Sequence, residues 1–423
     1  MPPTVPAIAD RRPLYALLIA TIVSLLGSQF TTIALPWFVL TTTGSAAKAG
    51  LVGFASLLPG LMVGIFGGVF VDRFGYKRVS IIADVVSGLG IVAIPLCYDT
   101  IGLEFWQLLL FVFIASFLKI PALTAHRSMV PELARHAGMP LDRANALFES
   151  LQSLAMLLGM PIAGVLVSWM GARNVLWLDA ATYAIAALLV AIVIPARMIA
   201  RPHVSSNGYL RDIAAGLLFI RRDVLLFPMV ILLATTNALN SPLTGVILPV
   251  YVEDTFTNAT PMGIILAATG AGAFIGASLY GAFANRLSRT GIWMSSFMIV
   301  PLQYWVFTIS PPLALLVTTF LFVGIFSGPL NPLMVTIRHE RSPEALRGRV
   351  FSTYSAVSMA AQPFGILIGG ILIDRVGVTP TVVILGSAAQ LCGLIALLAI
   401  PAFRQMDALR PRPASATTVI AEV

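Results

Sequence analysis

Three carboxylates stand inside long apolar stretches of this chain: Asp84, Glu149 and Asp179. An ionisable side chain at the centre of a spanning helix costs about 2.5–3.5 kcal/mol on insertion scales, so each is read first as functional. The chemistry open to a carboxylate at such a depth is to take up and release a proton, which makes these three the proton-coupling candidates. Asp84 and Glu149 lead, because both fall at comparable depth near one face. Asp179 lies towards the other face, where headgroups could solvate it. Pairing with Lys119, Arg127 or Arg143 is the alternative role for the first two. No nucleophile–base set, metal-ligand cluster or phosphate-cradling glycine loop is found, so the residues support no enzyme, no metal site and no cofactor.

A second set is neutral. Thr21, Ser24, Ser28 and Thr31 recur at i, i+3, i+7 and i+10, which puts them on one helical face. Ser24, Ser28 and Thr31 have counterparts in Asn237, Ser241 and Thr244, each 213 positions later. The same offset carries Pro36 to Pro249, Gly50 to Gly263, Gly68 to Gly281, Asp72 to Asn285 and Arg73 to Arg286. One register held over some fifty residues marks a parallel internal repeat. Polar faces on paired helices favour a shared water-filled cavity, with Ser24, Ser28, Thr31, Asn237, Ser241 and Thr244 as its lining candidates. Simple helix–helix packing by small polar residues is the other reading. Gln303, Asn331, Gln362 and Gln390 add neutral polar groups to the second half.

The elements that must hold these residues follow from composition. The chain has 423 residues, 58% hydrophobic and 10% charged, against roughly 25% charged in a soluble domain. A spanning helix needs about 20 apolar residues. Twelve such runs are counted, at about 14–40, 50–71, 79–98, 104–125, 145–169, 173–195, 224–250, 261–284, 291–309, 312–336, 350–373 and 379–402. An open sheet edge cannot be satisfied in lipid, so all are read as helices. The expected fold is an all-α polytopic membrane protein with twelve transmembrane helices in two six-helix pseudo-repeats. A short tail (1–13) precedes an N-terminal bundle (14–195). A central loop (196–223) carries the amphipathic stretch YLRDIAAGLLFIRRD, and a C-terminal bundle (224–402) and a tail (403–423) follow.

The net charge of +8 could suggest a nucleic-acid partner, but its distribution argues otherwise. Taken loop by loop, 22 of the 26 Lys and Arg fall on one side. The positive-inside rule then puts both termini in the cytoplasm. The expected partners are the lipid bilayer and a small-molecule substrate, with no nucleic acid, and the expected state is a monomer. Cys97 and Cys392 lie in apolar runs and indicate no disulfide framework. The first run is too long for a cleavable signal and is expected to be retained.

The segment GVFVDRFGYKR, with Gly68, Asp72, Arg73, Gly75, Lys77 and Arg78, reads as a charged loop between the second and third runs. Asp72 falls at the C-terminus of the second helix, where the dipole disfavours an anion, so it needs a cationic or helix N-terminal partner. The eleventh run, opening after Arg347 and Arg349, offers both. The segment resembles the loop between helices 2 and 3 of the major facilitator superfamily, and Gly159, Pro161 and Gly164 resemble the core of the antiporter motif of its drug exporters. LPWFVLTTTGSAAKAGLVGFASLLPG, SMVPELARHAGMPLDRANALFES and PEALRGRVFS look most like macrolide-efflux and Tap-type multidrug exporters. The helix 5 motif has fewer glycines than the family pattern.

The resemblance implies docking of the charged loop on helix 11 as an inner gate. It also implies a secondary active transporter in a bacterial inner membrane that exports amphipathic drugs or antibiotics by proton antiport. The proton gradient, not a cofactor, would then supply the energy. Export of one native metabolite, such as a siderophore or lysolipid, and a transporter-like sensor that moves nothing are the alternatives.

Overall fold

The computed structural model describes residues 10–195, 198, 209–256, 258–284 and 286–408, without the side chains of 63–74, 209–212 and 345. Thirteen helical elements carry the architecture. The first six are α1 (Arg12–Thr43), α2 (Ala46–Phe74), α3 (Tyr76–Thr100), α4 (Phe105–His136), α5 (Leu141–Met170) and α6 (Ala172–Val193). A shorter helix, α7 (Tyr209–Arg222), links them to the rest. The last six are α8 (Leu226–Phe256), α9 (Thr260–Phe283), α10 (Arg289–Ile309), α11 (Leu313–Arg341), α12 (Arg347–Val376) and α13 (Val378–Ala399). Among the described residues, eleven of these are long and apolar enough to cross a bilayer, and α2 contributes the apolar segment Ala46–Met62.

Several helices are interrupted where proline removes a ladder bond, in one case beside a glycine. In α8 a π-helical turn, Leu243–Ile247, follows Pro242. In α11 the break is at Gly328–Pro329, and α12 breaks just before Gln362–Pro363. The helices also run further than the apolar stretches suggest. α4 continues to His136, so His126 and Arg127 stand on a helix and not in a loop. The stretch 68–78 is not a loop either. Its first part completes α2 and its last part opens α3, and Gly75 alone reverses the chain, at φ 80°, a conformation that favours glycine.

The apolar core shows how the two sets of six helices meet. One cluster belongs to the first set (Leu14, Leu17, Met129, Leu133, Phe148, Val190). A second belongs to the last set and α7 (Ile220, Leu225, Met229, Trp293, Ile337, Tyr354). Both lie at the end that carries the basic connections. At the opposite end a third cluster joins the two sets, with Phe38, Trp37 and Leu176 packed with Ile247, Tyr251 and Ile366.

Glycines make that junction close. A Cβ on Gly50 would lie 2.9 Å from Ile366 O, and one on Gly164 would lie 2.8 Å from Gly263 Cα. Gly50 and Gly263 are repeat partners, so equivalent positions make equivalent crossings, α2 with α12 and α9 with α5. Backbone contact of this kind is how helices associate where lipid removes the hydrophobic driving force.

Candidate functional site

The polar face of α1 opens onto a cavity of about 510 Å³ walled by α1, α3, α4, α5 and α6. Ser24 and Ser28 line it, as the helical spacing predicts, together with Gln29, Asp84, Lys119 and Tyr183. Apolar groups (Leu25, Ile120, Leu123, Met156) complete a mixed wall. Such a lining suits a ligand with both apolar and polar parts.

Asp84 is 1% exposed. Its Oδ1 accepts a long hydrogen bond from Ser24 (3.4 Å), and its Oδ2 has no hydrogen-bond partner. His126 Nε2 lies 4.0 Å from that oxygen. The ring of His126 is clamped between Thr21 and Ser80, at 3.0 Å from Nδ1 and 2.6 Å from Nε2. The apolar run ends near residue 125 and so places His126 among loop residues, whereas the helix continues to His136. The signal that could have found it is the uninterrupted helical pattern through Met129 and Leu133.

The other two carboxylates are placed differently. Asp179 is fully buried; its Oδ2 accepts from Thr31, and Thr182 Oγ1, 2.7 Å from the Asp179 backbone O, lies 3.2 Å from Oδ1. Gly27 makes this approach possible, because a Cβ there would strike Thr182 and Asp179. Thr31 is thereby engaged with Asp179 and not with the cavity. Glu149 is 59% exposed and pairs with Arg127 at 2.8 Å, the pairing that stood as the alternative role. Lys119 faces the same cavity as Asp84.

The corresponding stripe of the second half is spent on helix packing. Asn237 donates to Ser358 O and Ser241 to Gln362 O, each at 2.9 Å, and both carbonyls lie at the break in α12. These two bonds fasten α8 to α12 on either side of the break. Thr244 is exposed. Gly159 packs on Gln29 of α1, and Gly164 makes the α5–α9 crossing; Pro161 lies between them inside α5.

Of the gating residues, Gly68, Asp72 and Arg73 fall among the undescribed side chains, so the docking expected of Asp72 lies outside the described residues. Lys77 donates to Ala191 O at 2.9 Å. Arg78 and Arg347 are exposed, and Arg349 is half-buried.

A contact of the same kind stands at the opposite end. Asp374, near the end of α12, accepts from Ser45 Oγ (2.6 Å) and from Ala46 N (2.8 Å) at the start of α2. A carboxylate from one half thus caps a helix of the other, where the dipole favours an anion. The repeat-related start of α9 is tied across by Thr260 to Ser168 at 2.7 Å. Asp374 belongs to a second Gly-x-x-x-Asp-Arg-x-Gly segment (Gly370, Asp374, Arg375, Gly377) with the spacing of Gly68, Asp72, Arg73 and Gly75. Sequence reading passes over it because it lies off the 213-residue repeat register.

Helices of this number and length, in two like-built sets with a polar cavity inside the first, define a polytopic membrane transport protein. The family model described as "Transmembrane secretion effector" matches residues 10–421, and the chain belongs to that family of the major facilitator superfamily, whose members are transporters and not enzymes. Its relatives include the multidrug efflux pump Tap of Mycobacterium tuberculosis, 31% identical over 404 residues, covering 94% of this chain and 96% of the relative. The macrolide efflux protein A of Streptococcus pyogenes is 25% identical over 399 residues, covering 91% and 95%. Among solved structures, a mutant of the nucleoside transporter NupG superposes with a TM-score of 0.76 at 15% identity, over 92% of this chain and 99% of that one. A bacterial homologue of the iron transporter ferroportin in an inward-facing state gives 0.71 at 14% identity, over 93% and 98%. The last two speak to fold alone.

Proposed function

We propose that this chain exports amphipathic small molecules, drugs and antibiotics among them, from the cytoplasm of a bacterial cell across its inner membrane by proton antiport. In this reading α1–α6 and α8–α13 form twelve membrane spans with both termini cytoplasmic, and one copy suffices. The observation that carries it is the cavity. A mixed polar and apolar wall encloses about 510 Å³ beside a buried carboxylate, and relatives over nearly the whole chain bear the names of multidrug and macrolide efflux proteins.

The two halves share a core at the end where Asp374 and Thr260 tie them, and have separate cores at the other. That asymmetry supports alternating access with the outer end closed. One proton moving down 100 mV supplies about 2.3 kcal/mol, enough for a concentration ratio of roughly fifty at about 1.4 kcal/mol per tenfold.

The test is accumulation of ethidium and of a macrolide in cells expressing the protein, with and without an uncoupler. Lower accumulation that the uncoupler reverses is expected. Unchanged accumulation of both probes would sink the multidrug reading and leave a single native metabolite or a sensor role.

A further inference from the structure

The cavity holds a titratable group that the carboxylates alone do not account for. His126 is 3% exposed, and its two contacts, Thr21 and Ser80, are 2% and 0% exposed. Thr21 Oγ1 donates its one proton to Leu17 O at 2.8 Å. Towards His126 Nδ1, at 3.0 Å, it can therefore only accept. The neutral ring then carries its proton on Nδ1, and Nε2 keeps a lone pair. Ser80 Oγ donates to that lone pair at 2.6 Å. The same nitrogen lies 4.0 Å from Asp84 Oδ2, the carboxylate oxygen that no donor reaches. A buried carboxylate oxygen without a donor is costly, and a proton on Oδ2 removes the charge that makes it so.

We propose that Asp84 and His126 form one proton-carrying pair, with His126 Nε2 as the second seat of the proton that Asp84 takes up. This rests on the antiport reading above and extends it. The step balances within the pair. The Oδ2–H bond of Asp84 breaks, an Nε2–H bond forms on His126, and a neutral acid and neutral imidazole become a carboxylate and an imidazolium. Ser80 must release Nε2 for this to occur, and its hydroxyl can turn to do so. Asp179 is placed differently, since Thr31 donates to its Oδ2 and Thr182 Oγ1 lies 3.2 Å from its Oδ1, so neither oxygen stands without a neighbour as Asp84 Oδ2 does.

The charged and titratable groups lining the cavity beside the pair are Lys119 and Arg127 from α4 and Tyr183 from α6, and Asp179 of α6 acts on Lys119 and Tyr183 in turn. Arg127 is engaged by Glu149 of α5. Lys119 is thus the neighbouring cation that lacks a carboxylate within ion-pair distance among the described residues.

The test uses the purified full-length protein in lipid vesicles with its histidines ¹⁵N-labelled. Ring nitrogen shifts are followed against pH by NMR, and the protonated-carboxyl C=O band by infrared difference spectroscopy, with Asp84→Asn and His126→Gln assigning the two signals. The expected result is that the His126 Nε2 signal and the Asp84 band change over the same pH interval, and that Asp84→Asn displaces the His126 transition by at least tenfold in proton concentration. A His126 signal that stays constant through the interval in which the Asp84 band changes would overturn the proposal. So would a transition indifferent to Asp84→Asn. The wild-type signals suffice for this, so a poorly folding variant does not decide the outcome. Failure of proton-driven export in the wild type would remove the antiport reading and leave the spectroscopic result standing separately.

Discussion

Replacing Asp374 with alanine removes both acceptors that α12 presents to the start of α2, one for Ser45 Oγ at 2.6 Å and one for Ala46 N at 2.8 Å. Loss of a helix cap costs about 1 kcal/mol in a typical protein, and a carboxylate at a helix N-terminus contributes about 0.3–1 kcal/mol when exposed. Asp374 is exposed and the two describe the same contact, so they are not added, and the loss is about 1 kcal/mol in all. At about 1.4 kcal/mol per tenfold, that moves the equilibrium between closed and open outer ends by about fivefold towards open.

Spin labels at the exposed positions Thr42 and Thr379, one in each half, read this out after Cys97 and Cys392 are replaced. Electron–electron distance measurement in vesicles should show the longer-distance population rising about fivefold relative to the shorter. Asp374→Asn, which keeps one acceptor, should fall between the two. A ratio unchanged within twofold in Asp374→Ala would refute the assignment of this contact as an outer latch, and so would a shift towards the shorter distance.

Three further outcomes are expected. Asp84→Asn should lower uphill export at least tenfold in vesicles with an imposed pH gradient; full proton-driven export in this variant would refute its role. Gly164→Leu places a side chain where even a Cβ would meet Gly263 Cα at 2.8 Å, so overpacking should cost about 1–3 kcal/mol and lower the thermal midpoint of the detergent-purified protein. Burial acts to raise the Asp407 carboxyl, but hydrogen bonds from Ser288 and from the Arg289 and Thr290 amides at the start of α10 outweigh it and hold the group down at about 2, from 3.8. Its folded value is depressed, so its stabilising effect is complete above about pH 4 and is lost as pH falls through about 2. The midpoint difference between wild type and Asp407→Asn should shrink over that interval in a thermal-shift series.

The sequence carries the class and most of the helices because a bilayer leaves the backbone few choices. Hydropathy finds apolar runs, and α4 shows its limit: polar residues on a helix that faces a cavity or the cytoplasm look like a loop. His126 was hidden for that reason. The Ser24 and Ser28 positions follow from helical period alone, and the structure puts both on the cavity wall. The matching stripe at Asn237 and Ser241 is equally periodic, yet it bonds carbonyls on either side of a break in α12. A break in one helix does not show in the period of another. Depth was the other blind spot. Counting residues from a loop put Asp84 and Glu149 level, whereas the rotation of each helix buries one and exposes the other. The cross-half cap at Asp374 could have been read from its Gly-x-x-x-Asp-Arg-x-Gly spacing, but only with the knowledge that α12 ends beside the start of α2.

Proton-coupled export is tested most directly with the purified protein in vesicles whose interior is made acidic. Ethidium and a macrolide are supplied outside at neutral pH, and protein-free vesicles correct for passive trapping of weak bases. Protein-dependent accumulation of both probes above their external concentration, abolished by an uncoupler and strongly reduced in Asp84→Asn, is the expected result. Uptake that never exceeds the protein-free level, or that persists undiminished when the gradient is collapsed, would contradict it.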